Sequence, residues 1–335
     1  MEVGEGRRLR IGDATGAGEA RRHAMAVARM LGFDDSHVGR VGIAVSEAST
    51  NMIKHASRGD LVLQQVGEDG HRGFAALALD QGPGMARLVD MLKDGTSTAG
   101  TMGTGLGAIS RQSSEFGIWS SEGAGTAVYA GFFPENAPWQ STGLAVGAVC
   151  VPVDGETECG DSWAFHGGPE RSILLVVDGL GHGPIAREAS LAAIAAFRAG
   201  VQRGPSDLLA DLHAALRHTR GAAAAIAEIL PGRGLLRFAG VGNVAGALVS
   251  HEGVRHLVSQ FGTLGHRMPK VHEVQFPWSD AAHLVLHTDG LRSAWALERY
   301  PGLVTCHPMV VAGILWRDFA RAKDDATVVV VGSPA

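Results

Sequence analysis

The chain has 335 residues, 45% of them hydrophobic, with a formal net charge of −5, which is enough for two domains with separate cores. The mild acidity and the lack of a basic block argue against nucleic acid or an anionic membrane surface as a partner. The start, MEVGEGRRLRIGDATG, has no apolar stretch behind its arginines, and no apolar run reaches the ~20 residues of a membrane span. Cysteines at 150, 159 and 306 suit neither a disulfide framework nor a zinc site, so a cytoplasmic protein with reduced thiols is expected.

In chain order, residues 19–31 (EARRHAMAVARML) read as an amphipathic helix. A second helix starts near Ser36, whose hydroxyl can cap it, and runs through SEASTNMIKHA. LVLQQV and FAALALDQG flank GEDG as two strands of a hairpin. ARLVDMLKDG is a short helix, residues 95–105 are a Gly/Ser/Thr-rich loop, and LGAISRQSSEF is helical. GIWSSEGAGTAVYAGFF gives two further strands, so the first unit closes near Phe133. PENAPWQS is polar, carries two prolines and reads as a linker.

Beyond it the pattern changes. LAVGAVCVPV, SWAFHG and RSILLVVDG are strand-like, and helices follow at 184–201 and 206–219. Then come AAAAIAEIL, GLLRFAGVG, AGALVS, VRHLVS, HEVQFPW and HLVLHTDG, a helix near 308–320, and a last strand, ATVVVVG. Many short strands with two paired helices suggest a stacked-sheet α+β domain. The expected boundaries are 1–134, a linker at 135–142, and 143–335.

Two groups of residues carry chemistry. In the first, Glu47, Asn51 and Lys54 or His55 share one helix face at i, i+4 and i+7 or i+8. Such a stripe is also what a solvated helix face looks like. Asp80 then ends a strand before Gly82 and Gly84, and Gly103, Gly105 and Gly107 open a helix. Amide donors at a glycine-rich helix start make a phosphate cradle. A Rossmann motif is excluded because the preceding segment is a loop, and no G-x-x-x-x-G-K-[ST] sequence is present.

The ordered set E-x-x-x-N, D-x-G-x-G, G-x-G-x-G and GAGT resembles the GHKL ATPase fold over residues 7–134. Within it, DQGPGM, DGTSTAGTMGTGLGAISR and EFGIWSSEGAGT look like the serine kinases of anti-sigma and stressosome switches. The resemblance implies an α/β two-layer sandwich that binds ATP and Mg²⁺. By it, Asn51 holds Mg²⁺, Asp80 accepts from the adenine amino group, and Gly82 and Gly84 pass close to the base. Gly103, Gly105 and Gly107 cover the phosphates, Thr126 closes the adenine side, Lys54 joins the ATP-binding set, and Glu47 is the base for a protein hydroxyl.

In the second group, Asp161, Asp178, Asp289, Asp324 and Asp325 each stand beside an apolar run. One DG pair alone is a turn; four or five converging carboxylates need cations among them. Hard oxygen donors favour Mg²⁺ or Mn²⁺ over zinc. The series, with TRGAAAAIAEI, FAGVGN and GTLG in order, resembles the SpoIIE-like branch of the type-2C serine/threonine phosphatases from about Gly143 to Gly332. This implies an αββα sandwich holding two Mn²⁺ or Mg²⁺ ions. By the resemblance Asp178 bridges the metals, the Gly179 carbonyl adds a ligand, Asp289 and Asp324 complete one shell, and Asp161 orients water. Asp325 is the lesser ligand of its pair. Two ions about 4 Å apart would activate water for in-line attack. Eukaryotic members have a histidine directly after DG; here Leu180 stands there, and His182 reads as a loop-structuring residue. His166 and His287 are read as structural, and no phosphate-clamping arginine is evident upstream of Asp161.

The sequence therefore points to a cytoplasmic protein joining a switch-protein kinase to a phosphoserine/phosphothreonine phosphatase. Its expected partners are STAS-domain switch or anti-sigma-antagonist proteins, with no nucleic acid or membrane, and a homodimer is allowed. The alternatives are an ATP-binding domain that sequesters a partner without catalysis, and a kinase joined to a phosphatase fold serving only as a docking platform.

Overall fold

The computed structural model describes residues 2–3, 6–68, 71–86, 88, 105–134, 143–268 and 270–333. Gly103, most of the short helix expected at 86–95, and the expected linker 135–142 lie outside the described residues. The chain divides into two compact units. One comprises Gly6–Gln140 with Ala296–Arg317; the other comprises Met1–Glu5, Ser141–Trp295 and Asp318–Ala335.

In the first unit, β1 (Arg7–Ile11), β2 (Gly59–Glu68), β3 (His71–Asp80), β4 (Glu115–Ser121) and β5 (Gly125–Phe132) form an antiparallel sheet. Its order is β1-β2-β3-β5-β4. Helices α1 (Ala14–Met30), α2 (Asp35–Asn51) and α3 (Gly105–Gln112) bury Val27, Val41, Val45 and Ile109 with Leu61, Leu63, Phe74 and Val128 of the sheet. Helix α1 begins earlier than expected because Asp13 caps it, accepting from the Gly16 N–H (2.9 Å). The cap of α2 is Asp34, not Ser36: its carboxylate accepts from the His37 N–H (2.8 Å). LGAISRQSSEF is helical only to Gln112, and Glu115 already begins β4.

The opposite sheet face is equally apolar, because strands buried on both sides lose the polar half of their alternation. It carries Val62, Leu77, Leu79 and Tyr129, all buried. The segment Ala296–Arg317 lies against it. The Trp119 indole N–H donates to the Pro301 carbonyl (3.0 Å), and the His307 ring stacks on Tyr129 with centroids 4.7 Å apart. A Cβ at Gly313 would come within 2.8 Å of Leu77. The two-layer sandwich thus gains a third layer from a distant stretch of chain.

In the second unit, one sheet holds β7 (Asp161–His166), β8 (Ser172–Gly179), β9 (Ala222–Leu230), β10 (Leu235–Val241) and β13 (Val274–Pro277), in the order β13-β10-β9-β8-β7. The other holds β6 (Ala145–Val151), β11 (Ala245–Ser250), β12 (Gly253–Leu257), β14 (His283–His287) and β15 (Ala326–Gly332), in the order β12-β11-β14-β15-β6. Helices α4 (Pro184–Ala199) and α5 (Pro205–Ala215) cover the first sheet through Ala189, Phe197, Leu208 and Leu212. Both start with proline at the first turn, where its missing N–H is no loss. The helix expected to reach 219 ends at Ala215 and passes into a 3₁₀ turn, Leu216–His218. Helix α6 (Pro308–Phe319), which belongs to the first unit as far as Arg317, is buried at every position from Pro308 to Trp316.

Candidate functional site

The first candidate site gathers at the open ends of α2, β3 and α3. Asn51 is the last α-helical residue of α2, and the chain then widens into a π turn, Met52–Ala56. π turns recur at functional sites because they redirect side chains from the helical stripe. The expected stripe is therefore broken after Asn51: Lys54 and His55 lie in the π turn and are exposed, off the α-helical phase. Glu47, half-buried one turn before Asn51, has no hydrogen bond or ion pair among the described residues. The Asn51 amide abuts the start of α3: a Cβ at Gly105 would lie 3.1 Å from both its Oδ1 and Nδ2. Gly107, two residues into that helix, is buried.

Asp80 ends β3 opposite Thr126 in the ladder with β5. Its carboxylate accepts from the Gly82 N–H (2.8 Å). Burial lifts its pKa above the usual range, against the lowering pull of the Gly82 N–H and the Arg317 charge. Arg317 donates to the Asp80 carbonyl (2.6 Å). Gly84 has φ +70°, and a Cβ there would meet the Ser121 carbonyl at 1.9 Å. The loop after Asp80 is thus pressed backbone to backbone against β4. The Thr126 hydroxyl is 2.9 Å from the Ser120 hydroxyl, which also accepts from the Met85 N–H (2.9 Å). The donor set suits an adenine nucleotide: a fixed carboxylate beside side-chain-free backbone, and an amide facing a helix start.

The second candidate site lies where β7, β8, β14 and β15 end. Asp161 and Asp178 are direct partners in the β7–β8 ladder. Asp161 is buried, and its Oδ2 accepts from the Thr288 hydroxyl (2.8 Å), which itself accepts from the Thr327 N–H (3.1 Å). Burial drives the Asp161 carboxyl well above its ordinary range. Asp178 is pushed up to about 9, first by burial and then by the charges of Asp161, Asp289, Asp324 and Asp325. Asp324 is raised too, by burial and by its coupling to Asp289. Asp289 is exposed and accepts from the Asn243 amide (2.6 Å).

Asp325 has a different occupation. Its Oδ1 accepts from the Val153 N–H and its Oδ2 from the Gly160 N–H, both at 2.7 Å. Both oxygens are engaged in tying two loops to β15. A Cβ at Gly179 would sit 2.2 Å from the Ala186 carbonyl, so the turn after Asp178 is sealed against the first turn of α4. His182 is exposed and bonds Glu156 through Nδ1 (2.8 Å). His287 is buried, its Nδ1 2.8 Å from the Thr288 carbonyl. Among the described residues, no three His, Cys, Asp or Glu side chains stand in a ready-made metal-ligating arrangement. The oxygen-only donor set and the upward shift of Asp178 nevertheless fit hard cations, which would relieve the mutual repulsion.

Asn243 and Thr288 are the site residues that sequence reasoning did not single out. Asn243 closes FAGVGN at the end of β10, and Thr288 immediately precedes Asp289. A polar residue beside a strand-end acid was the available signal for Thr288; Asn243 has no acid near it in the sequence, and only the fold brings it to Asp289.

Comparison with known proteins finds two families along the chain. The histidine kinase-like ATPase domain family matches residues 13–132, and the stage II sporulation protein E (SpoIIE) family matches residues 168–333. The serine/threonine-protein kinase RsbT of Bacillus subtilis (strain 168) is 36% identical over 111 residues, which span 33% of this chain and 84% of RsbT. The phosphoserine phosphatase RsbX of the same organism is 27% identical over 139 residues, 41% of this chain and 70% of RsbX. Among solved structures, a chain from work on the bacterial stressosome aligns with a TM-score of 0.54 at 27% identity, covering 56% of this chain and 98% of that one. A crystal structure of RsbX in complex with magnesium aligns with a TM-score of 0.52 at 22% identity, covering 59% and 98%. The chain thus belongs to the histidine kinase-like ATPase family through an RsbT-like N-terminal domain, fused to a SpoIIE-type, type-2C serine/threonine phosphatase domain.

Proposed function

We propose that the chain is a bifunctional signalling enzyme of the bacterial cytoplasm. It phosphorylates a serine or threonine of a STAS-domain switch protein and hydrolyses phosphoserine or phosphothreonine on the same class of partner. The observation that carries the reading is the convergence of acids on Asp178, lifted to about 9 by burial and by four further aspartates in a SpoIIE-type fold.

In the kinase half, Asp80 would accept from the adenine amino group, with Gly82 and Gly84 admitting the base. The Asn51 amide would hold Mg²⁺, which supplies charge neutralisation at the ATP phosphates, and Gly105 and Gly107 would present α3's amides to those phosphates. Gly103 would join these. Glu47 would take the proton from the partner's hydroxyl as its oxygen bonds to the γ-phosphorus and the bond to the β–γ bridging oxygen breaks.

In the phosphatase half, Asp178, Asp289, Asp324 and the Gly179 carbonyl would hold Mn²⁺ or Mg²⁺, with Asp161 orienting water. Such cations supply charge neutralisation at the phosphoryl group and activation of water. The residues' own part is to fix that geometry: Thr288 aims Asp161, and Asn243 aims Asp289. The His182 Nδ1 is engaged by Glu156, which supports the loop-structuring reading of this residue.

The test is direct. With Mn²⁺ the purified protein should hydrolyse p-nitrophenyl phosphate, and Asp178→Asn should abolish it; activity that survives sinks the metal assignment. With ATP and a STAS partner, Glu47→Ala should lose transfer yet bind nucleotide; normal transfer rules Glu47 out as the base. Wild-type protein that binds ATP and partner without transfer would instead support the sequestering alternative.

A further inference from the structure

The phosphatase site as described has acids on every side and no cationic side chain of its own for a phosphoryl dianion. One arginine is placed to supply it. Arg220 lies in the turn before β9, two residues ahead of Ala222, which pairs with Gly179 directly after Asp178. Its guanidinium rests on the loop that follows Asp178: a Cβ at Gly181 would lie 3.0 Å from its Nη1. Gly181 has φ +93°, so the bare backbone there both makes the turn and leaves room for the fork.

The backbone beneath Arg220 is held from three directions. The Leu180 N–H donates to the Gly221 carbonyl (3.1 Å), the Gly221 N–H to the Thr219 hydroxyl (3.0 Å), and His266 Nε2 lies 2.8 Å from the Arg220 carbonyl. The head is different. Among the described residues the Arg220 side chain has no hydrogen bond or ion pair, and it is exposed. Other arginines of this unit are committed: Arg171 and Arg237 to Glu228, and Arg203 to Asp211. A fixed backbone carrying an uncommitted planar fork, beside the turn of the central aspartate, is the arrangement that bidentate phosphate recognition needs.

We infer that Arg220 binds the phosphoryl group of the phosphatase substrate. The inference rests on the phosphatase reading for its substrate, phosphoserine or phosphothreonine. It does not depend on that reading for its test. Inorganic phosphate is titrated into the full-length protein with Mn²⁺ by calorimetry, for wild type, Arg220→Ala and Arg220→Lys, alongside phosphopeptide hydrolysis. Loss of one charge-assisted fork should weaken phosphate binding, and raise KM more than it lowers kcat, by about 10- to 100-fold. Lysine should recover part of the loss, and the Mn²⁺ concentration for half-activation should stay at the wild-type value. Wild type that binds phosphate through Arg220 but hydrolyses nothing would uphold the inference and remove the phosphatase reading. Arg220→Ala binding phosphate within twofold of wild type would overturn the inference whatever the activity.

Discussion

Asp161 on β7 and Asp178 on β8 face each other across an antiparallel ladder, with Thr288 donating to Asp161 from the second sheet. Directly opposed like charges cost about 0.2–1 kcal/mol each, and more when burial removes water. On the proposed metal assignment, cations offset that cost. Without divalent metal, Asp178→Asn should therefore raise the melting temperature by about 1–4 °C. The increase that Mn²⁺ gives wild type should vanish. Differential scanning fluorimetry at fixed protein concentration reads both; a lower metal-free melting temperature for the variant would contradict the repulsion.

Asp325 acts on the fold rather than on the chemistry. Its two oxygens hold the Val153 and Gly160 amides in a nearly water-free setting. Asp325→Ala would strand two N–H groups and should cost about 2–5 kcal/mol by urea denaturation. Asp325→Asn keeps one acceptor oxygen and should lose about half as much. Equal loss in both variants would mean that the negative charge, not the pair of acceptors, matters.

Gly84 and Gly123 both have positive φ, at +70° and +74°, yet differ in surroundings. A methyl at Gly84 collides with the Ser121 carbonyl, whereas at Gly123 nothing lies within 4 Å. Gly123→Ala should cost only the left-handed backbone penalty, about 1–2 kcal/mol. Gly84→Ala should cost more and abolish binding of a fluorescent ATP analogue, because the loop behind Asp80 must shift. Nucleotide binding at wild-type affinity in Gly84→Ala would remove this loop from the site.

His307 gives the first unit a pH dependence. Burial against Tyr129 lowers its pKa from 6.5 to about 4. Between those values the unfolded chain takes a proton that the folded one refuses. Stability is therefore full above pH 6.5 and falls as pH drops towards 4, by up to about 3 kcal/mol. Glu115, beside Tyr129 and 3.9 Å from His307, is raised by its own burial and opposes part of the loss. Comparing wild type with His307→Gln cancels Glu115's share, and the variant's denaturation midpoint should be flatter over this window. Parallel curves would show that His307 stays unprotonated in both states.

The sequence carried the chemistry further than the architecture. The E-x-x-x-N and D-x-G-x-G spacings, and the aspartates ending apolar runs, are local patterns; that Asp161 and Asp178 are direct ladder partners comes from the register of two strands. What depended on distant contacts was not legible. Nothing in MIKHA signals that α2 widens into a π turn, which moves Lys54 and His55 off the stripe of Glu47 and Asn51. Asp324 and Asp325 look alike in KDDATVVVV; the resemblance alone ranked Asp325 the lesser ligand, and its bonds from the Val153 and Gly160 amides have no local signal. Helix α6 is apolar all round, a pattern of burial on more than one side. Yet its affiliation with the sheet of Leu77 and Tyr129, far earlier in the chain, has no sequence mark.

The central claim is that one chain both writes and erases phosphate on a STAS-domain partner. The most direct measurement follows label from γ-³²P-ATP onto the partner with Mg²⁺, then chases it with cold ATP and Mn²⁺. Wild type should label the partner and release inorganic phosphate during the chase. Asp178→Asn should label it and retain the label, and Glu47→Ala should leave it unlabelled. A partner labelled equally by Glu47→Ala, or label released equally by Asp178→Asn, would contradict the account.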